Sequence, residues 1–136
     1  MSFLDAFQGY HQIPLALCDQ EKIVFVTPTG YYHYKVMPFG LKNAGFTYQR
    51  MMTRIFEPQL EKNIEFYIDD MVVKSKLEFK HVKDLGAIFE ILRSHKLCLN
   101  ASKCSFGVGS CRFLGYMVTY HGIEVNHDQV KAINSL

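Results

Sequence analysis

The chain has 136 residues, of which 49% are hydrophobic and 21% are charged, and its formal net charge is +2. This is the composition of one globular domain, long enough to bury roughly two-thirds of its unfolded surface. So small a charge excludes a strongly basic surface over the whole domain, and the sequence has neither a signal peptide nor an 18-residue apolar run, which argues against a secreted or membrane protein.

The first half of the chain alternates short β-rich segments with one helical segment. Residues 2–5 predict a strand, and residues 6–13 predict a turn or a helical turn. Two β-rich segments, 23–26 and 31–36, flank the turn signal Thr-Pro-Thr-Gly and predict a hairpin. Residues 43–57 carry apolar side chains at helical spacing and are followed by a proline, so we predict a helix there.

Two adjacent carboxylates, Asp69 and Asp70, lie between short apolar runs at 64–68 and 71–73. The runs predict the two strands of a hairpin, with both acids in its turn. Tight turns favour Asn-Gly or Asp-Gly rather than two like charges, and a local conflict of this kind points to a functional site. Carboxylate oxygens are hard, anionic ligands that suit a divalent metal ion.

The second half predicts another helix and further strands. Ser75 and Glu78 have the spacing of a capping box. Apolar side chains then recur at helical spacing at Val82, Leu85, Phe89 and Leu92. Short strand candidates follow at 113–118 and 123–125. Two helices among antiparallel β segments predict an α+β fold.

Two weaker patterns allow other functions. Four lysines follow the acid pair, and they either face phosphate groups or form a solvated helix face: Lys74, Lys76, Lys80 and Lys83. Two cysteines and two histidines could be drawn as a zinc set, but their spacings fit no familiar zinc pattern: Cys104, Cys111, His121 and His127. Without CxxC spacing, we expect the cysteines to be free in a reducing, intracellular setting.

Asp5 resembles the acid pair because it also ends a short apolar strand. A strand end and a neighbouring hairpin tip can come together in an antiparallel sheet, so Asp5 could join Asp69 and Asp70. Three carboxylates could then hold two divalent ions about 3.5–4 Å apart for a phosphoryl transfer. The alternative is that these acids are unrelated and solvated.

Four sequence blocks occur in an order that resembles a known family. They are Phe-Leu-Asp-Ala-Phe-Gln-Gly-Tyr-His-Gln-Ile at 3–13, Met-Pro-Phe-Gly-Leu-Lys-Asn-Ala at 37–44, Tyr-Ile-Asp-Asp at 67–70 and Phe-Leu-Gly-Tyr at 113–116. Together they resemble the reverse transcriptase of gypsy-type LTR retrotransposons, over essentially the whole chain. The resemblance implies a polymerase palm, an antiparallel sheet with helices on one face, plus a partial fingers hairpin.

The resemblance also implies a division of the chain and a set of partners. Residues 1–13 would be the first part of the palm, 14–40 partial fingers, 41–125 the rest of the palm and 126–136 the start of the thumb. The partners would be an RNA or DNA template-primer, dNTPs and the remainder of a polyprotein, in a cytoplasmic particle or the nucleus. No membrane partner is expected, and dimerisation stays undetermined.

The implied activity is RNA-directed DNA polymerisation, the transfer of a nucleotide from a dNTP to a primer 3′-OH. Asp5, Asp69 and Asp70 would be catalytic. With the backbone carbonyl of Ala6 they would hold two Mg²⁺ ions, for which Mn²⁺ could substitute.

The resemblance assigns the remaining site residues as well. Nucleotide-binding residues would be Tyr10, a steric gate against a ribose 2′-OH, together with Phe39, Gly40 and Lys103. Lys42 and Asn43 would contact the template. The primer grip would be Phe113, Leu114, Gly115 and Tyr116. Without the resemblance, Tyr10 and Phe39 read as core residues and Lys103 as a surface lysine. Leu114 and Tyr116 read as core residues too, an interpretation that is compatible with the primer grip.

The chain departs from the family in two respects. Gly45 replaces a proline at the start of the first long helix, and the upstream fingers, most of the thumb and the RNase H region are absent. We therefore expect a polyprotein fragment with little activity alone. The alternatives are an inactive remnant and a non-catalytic nucleic-acid-binding module that uses the four lysines.

Overall fold

A computed structural model describes residues 1–119, 121–124 and 131. The elements of the first half are β1 (Ser2–Asp5), a 3₁₀ turn (Gly9–Gln12), α1 (Leu17–Gln20), β2 (Val24–Thr27), β3 (Gly30–His33) and α2 (Ala44–Phe56). Those of the second half are β4 (Ile64–Tyr67), β5 (Asp70–Val73), a 3₁₀ turn (Glu78–Lys80), α3 (His81–Ser94), a 3₁₀ turn (Ala101–Lys103), β6 (Ser110–Phe113), β7 (Tyr116–Thr119) and β8 (Gly122–Glu124). The predicted α+β class is confirmed.

The central sheet has the order β1-β5-β4, and both pairings are antiparallel. One face carries the main core: Leu4 lies opposite Met71, and Ile64 lies opposite Val73. These side chains belong to one buried cluster with residues of both long helices, Tyr48, Met52 and Phe56 of α2 and Ile88 and Leu92 of α3. Both helices therefore cover the same face of the sheet.

Asp5 and Asp70 lie on the opposite face from the helices. Side chains alternate along a strand, so Phe3 and Asp5 point away from the face that Leu4 shares with the helices. Asp70 is directly opposite Asp5, and its side chain therefore points to the same face of the sheet. The ring of Phe113, at the end of β6, lies 6.1 Å from that of Phe3, which brings the second three-stranded sheet, β6-β7-β8, alongside this face.

The acid hairpin differs from its prediction in the turn. Tyr67 pairs with Asp70, so the loop consists of Ile68 and Asp69, and the prediction that both acids lie in the turn is wrong for Asp70, the first residue of β5. Ile68 supplies the turn geometry with a φ of 52°. A β-branched residue in that region is strained, at a cost of about 1–3 kcal/mol.

The predicted capping box is not formed. The Ser75 hydroxyl donates to Asp84 at 2.6 Å and contacts the His81 ring at 3.0 Å, and Glu78 begins a 3₁₀ turn instead. α3 starts at His81 without a side-chain cap. Among the apolar side chains predicted to face the core from this helix, Val82 is 79% exposed. Ile88, which was not among them, is buried.

Two strand predictions also need correction. Residues 113–118 are not one strand, because Leu114 and Gly115 have φ values of 51° and 81° and turn the chain between β6 and β7. Two consecutive positive φ values are the signature of a tight hairpin loop. The hairpin of β2 and β3 is confirmed, but β3 ends at His33, and Val36 pairs with Pro14 instead.

α1 was not predicted, and part of the C-terminal prediction falls outside the described residues. The strand predicted at 123–125 corresponds to β8 up to Glu124. Except for Lys131, the segment assigned to the start of the thumb, 126–136, is outside the described ranges. Among the helices that the structure describes, none is long and apolar enough to cross a membrane.

A partly buried polar network ties β1 to α3. The His81 Nε2 lies 2.7 Å from the hydroxyl of Ser2, which is fully buried. The other ring nitrogen contacts Ser75, which donates to Asp84. Burial, followed by the positive chain terminus, lowers the pKa of His81 below 6.5, although Asp84 opposes the shift. The folded state therefore favours the neutral imidazole.

This network predicts a pH-dependent stability. Because the folded pKa of His81 is below 6.5, the unfolded chain binds the extra proton more readily. The stabilisation is complete above pH 6.5 and is lost as the pH falls through the folded pKa. Urea unfolding at pH 7.5 and at pH 5.5 measures the stability that is lost on acidification. We expect this difference in the free energy of unfolding to be smaller in His81→Gln than in wild type.

The control is His33→Gln at an exposed position of β3, which should keep the wild-type pH dependence. An equal pH dependence in wild type and His81→Gln would contradict the assignment.

Candidate active site

Three carboxylates lie at one end of the central sheet. Asp5 ends β1 and is directly opposite Asp70, which begins β5. Asp69 precedes Asp70 and lies in the turn between β4 and β5. The Ala6 amide donates to the Asp69 carbonyl at 2.8 Å, which ties this turn to the end of β1. Like charges directly opposite on neighbouring strands are destabilising, so the fold holds these acids together against their repulsion.

The environment of Asp69 and Asp70 disfavours their charged forms. Burial, then the charges of Asp5 and Asp70, raises the pKa of Asp69, while Lys103 and the Gly9 amide lower it. Burial, then Asp5, also raises the pKa of Asp70, and Lys103 again opposes the shift. The three carboxylates therefore interact, and a cation placed among them would relieve both effects.

Lys103 supplies part of that positive charge. Its ammonium lies 3.8 Å from the Asp5 carboxylate. The Asn100 amide donates to the Asp5 carbonyl at 2.8 Å and fixes the 3₁₀ turn that carries Lys103 beside β1. The Lys103 side chain is 67% exposed, whereas that of Asp5 is 17% exposed, so the lysine stands at the rim of the site.

Gly9 allows the loop after β1 to pass close to the acids. A Cβ atom on Gly9 would lie 2.2 Å from Asp69 Oδ1 and 2.8 Å from the Tyr48 hydroxyl. Both of those oxygens are buried, and neither has a hydrogen-bond partner of acceptable geometry among the described residues. Position 9 therefore admits no side chain without a shift of its neighbours.

Tyr48 lies beneath the site with its hydroxyl in the interior. Burial, then the charges of Asp69, Tyr10 and Asp5, raises its pKa, so the phenol stays protonated at neutral pH. Its ring meets that of Tyr10 edge-on at 5.5 Å.

Tyr10 packs against two aromatic rings. Its centroid is 5.1 Å from that of Phe39 and 5.5 Å from that of Tyr48. Phe39 is 58% exposed, so the reading of that residue as core is wrong. Gly40 follows with a φ of 91°, a conformation that favours glycine. The structure brings Tyr10, Phe39 and Gly40 together.

Gln12 fixes the loop that carries Tyr10. Its amide nitrogen donates to the carbonyls of Phe7 at 2.6 Å and Cys98 at 3.0 Å, and its oxygen accepts from the Cys98 amide at 2.7 Å. These bonds connect the segment after β1 to the chain beyond α3. The 3₁₀ turn that holds Tyr10 is therefore braced from outside its own sequence.

The predicted template and primer residues are on the surface. Lys42 and Asn43 are exposed just before α2, which begins at Ala44. The predicted primer grip is the turn between β6 and β7, where Leu114 is 45% exposed and Tyr116 50% exposed. Their reading as core residues is therefore wrong.

The two weaker sequence patterns do not join this site. Lys74 follows β5, four residues from Asp70 and so roughly 13 Å along the strand, and forms an ion pair with Glu65. The other three lysines follow Lys74 in sequence. Among the described residues, no three His, Cys, Asp or Glu side chains form a ready metal-binding group, so the structure gives no support to a zinc set that includes Cys104, Cys111 and His121; His127 lies outside the described ranges.

The acids do not converge as a three-ligand cage either, but their chemistry fits a hard divalent cation. Asp69 Oδ1 is a buried acceptor without a partner. Burial first, and then repulsion from neighbouring carboxylates, raises the pKa of both Asp69 and Asp70, and a cation would offset both effects. Carboxylate oxygens are also the donors that such ions prefer.

Sequence reasoning missed Gly9, Gln12 and Tyr48. Gly9 belongs to the sequence block at 3–13 that contributes to the family resemblance, but nothing in the sequence shows which atoms approach its backbone. Tyr48 has the helical spacing of a core residue, and only its hydroxyl distinguishes it from a phenylalanine there.

Comparison with known sequences gives consistent matches. A family model described as "Reverse transcriptase (RNA-dependent DNA polymerase)" matches residues 1–118. The chain is 39% identical over 132 residues to the retrovirus-related Pol polyprotein from transposon 297 of Drosophila melanogaster, covering 97% of this chain and 12% of that protein. It is 34% identical over 130 residues to the polyprotein from transposon gypsy of the same organism, covering 96% and 13%. The chain thus spans about an eighth of these relatives.

Solved structures support the fold. A foamy viral protease-reverse transcriptase in complex with an RNA/DNA hybrid matches with a TM-score of 0.87 at 20% identity, covering 98% of this chain and 18% of that one. A complex of the foamy viral protein with double-stranded DNA matches with a TM-score of 0.89 at 19% identity, covering 99% and 24%. At this identity the likeness concerns the fold alone.

Proposed function

Because the chain belongs to the reverse transcriptase family of RNA-dependent DNA polymerases, we propose that it is the palm and partial fingers of a retrotransposon polymerase. The reaction would extend a primer 3′-OH with a dNTP on an RNA or DNA template. The observation that carries the proposal is the direct pairing of Asp5 with Asp70, beside Asp69.

The carboxylates of Asp5, Asp69 and Asp70, with the Ala6 carbonyl, would hold two Mg²⁺ ions. When bound, the ions would activate the primer hydroxyl and neutralise charge on the triphosphate. The protein itself contributes position, because β1, β5 and the turn before β5 fix the three carboxylates relative to one another. Lys103, at the rim beside Asp5, would donate a proton from its ammonium to the departing pyrophosphate.

The surrounding residues would select and align the substrates. Tyr10, braced by Phe39 and Tyr48, would occupy the space of a ribose 2′-OH. Phe39 and Gly40 would line the nucleotide pocket. Residues at two further places would hold the nucleic acid: Lys42 and Asn43 for the template, and Phe113, Leu114, Gly115 and Tyr116 for the primer.

The proposed domain division follows the same roles. Residues 1–13 and 41–125 would form the palm, 14–40 the partial fingers and 126–136 the start of the thumb. The remainder of a polyprotein would supply the other fingers, the thumb and an RNase H region, in an intracellular particle or the nucleus.

Primer extension by the isolated chain and by a longer polyprotein segment tests the proposal. We expect the 136-residue chain to show little or no processive extension, because the groups that grip the triphosphate and clamp the duplex would lie in the flanking regions. The longer segment should extend a primed RNA template with dNTPs and Mg²⁺. Strong activity of the isolated chain, or none in the longer segment, would contradict this.

Replacing the proposed gate should change sugar selection. In the longer segment, Tyr10→Ala should raise incorporation of rNTPs relative to dNTPs by at least about tenfold, because it removes the ring that excludes the 2′-OH. The measurement is the ratio of kcat/KM values for matched rNTP and dNTP. Tyr31→Ala, at an exposed position of β3, is the control; an unchanged ratio in Tyr10→Ala would refute the gate.

A further inference from the structure

Two buried oxygens beside the acid site lack hydrogen-bond partners: the Tyr48 hydroxyl and Asp69 Oδ1. Among the described residues, only Asn63 Oδ1 shares this property. Buried polar groups are normally paired, because an unpaired one loses its bonds to water without compensation. Two such atoms at one place call for an explanation.

The two oxygens are close enough to satisfy each other. Each lies near one point, the Cβ position of Gly9, at 2.2 Å for Asp69 and 2.8 Å for Tyr48, so they are at most about 5 Å apart. A small side-chain rotation or one bridging water spans that separation. Their chemistry is complementary too, since a phenol can donate and an ionised carboxylate can only accept.

The position of Tyr48 suits a fixed donor. It lies on α2 with its side chain 1% exposed, and the Tyr10 ring packs against it at 5.5 Å. Phenylalanine would fill the same core space without burying a hydroxyl. The hydroxyl is therefore not required for packing, and it points to the region of the turn between β4 and β5.

We propose that Tyr48 is a positioning residue for Asp69: its hydroxyl donates a hydrogen bond to the Asp69 carboxylate, directly or through one water. The bond fixes the orientation in which that carboxylate meets a divalent cation. Metal-binding groups are commonly oriented by such partners. This inference rests on the proposed function in that it takes Asp69 to be a metal ligand.

Tyr48→Phe in metal-free buffer tests the hydrogen bond independently of any metal. If the hydroxyl donates to Asp69, its removal leaves the buried Oδ1 atom without its donor, and the midpoint of thermal unfolding should fall by about 4 °C. If the hydroxyl has no partner, its removal should leave the midpoint unchanged or raise it, which would overturn the proposal. Tyr34→Phe, at an exposed position, should leave the midpoint unchanged.

Mn²⁺ titration of the same chain, followed by electron paramagnetic resonance, tests the positioning role. Tyr48→Phe should weaken binding about tenfold, and Asp69→Asn should weaken it further. If Asp69→Asn weakens binding and Tyr48→Phe does not, the positioning role fails while the metal site stands. If Asp69→Asn binds as wild type does, Asp69 is no ligand: the proposed metal site fails, and with it the positioning role, whereas the unfolding result still decides the hydrogen bond.

Discussion

Asp69→Asn should abolish primer extension and at the same time stabilise the metal-free chain. Activity of a longer polyprotein segment should fall by at least about 10³-fold, equivalent to about 4 kcal/mol of transition-state stabilisation, because the amide removes the charge of a proposed metal ligand. Stability should rise because the ionised carboxylate is held in the fold against burial and against Asp5 and Asp70.

The sign of the stability effect follows from the pKa. A carboxyl group with a raised folded pKa destabilises the native state at neutral pH, and this cost disappears as the pH falls and the group is protonated. Thermal unfolding of the 136-residue chain at pH 7 should therefore show a higher midpoint for Asp69→Asn. Saturating Mg²⁺ should stabilise wild type and have less effect on the variant.

Asp19→Asn is the matched control. Asp19 is a carboxylate at the surface that pairs with Lys22, and surface ion pairs contribute little. We expect little change in activity, stability or the response to Mg²⁺. A loss of stability in Asp69→Asn would show that hydrogen bonds to the carboxylate outweigh its burial and its repulsion by Asp5 and Asp70 in the metal-free fold, contrary to the electrostatic argument.

Gly9→Ala should damage the site more than the addition of one methyl group suggests. The new carbon would lie 2.2 Å from Asp69 Oδ1, closer than any non-bonded contact allows, so the loop or the acid hairpin must move. Overpacking of this kind costs about 1–3 kcal/mol. Extension activity should fall at least about 100-fold, since small misplacements of catalytic groups have large effects.

Gly86→Ala separates this effect from a general response to glycine replacement. Gly86 lies within α3, and a Cβ there would meet nothing within 4 Å. Alanine should therefore stabilise the helix by about 0.5–1 kcal/mol and leave activity unchanged. Urea unfolding and primer extension of both variants give the comparison; equal behaviour would contradict the close approach at Gly9.

The sequence predicted the elements that rest on side-chain patterns. Alternation over 64–68 and the apolar run 71–73 predicted β4 and β5, and helical spacing predicted α2. The resemblance drawn from four sequence blocks is confirmed by the family match over residues 1–118. It also named Lys103, which the structure then places beside Asp5.

The predictions that failed depend on single backbone angles or on competing polar partners. Nothing in the sequence marks Ile68 for a positive φ, so the turn was placed one residue too late. Leu114 and Gly115 lie within an aromatic, apolar segment that reads as one strand. Ser75 had the spacing of a cap, but His81 and Asp84 offered it better partners.

The pairing of β1 with β5 has a consequence for synthesis on the ribosome. Asp5 meets Asp70 only after the 64 intervening residues have been made, and Phe3 is further bound to Ser105. Contacts of such long sequence separation form slowly, so β1 remains without its β5 partner while the chain between them is made. The proposed metal site therefore cannot assemble until Asp69 and Asp70 have been synthesised, and any cation bound there would stabilise only the paired state of β1 and β5.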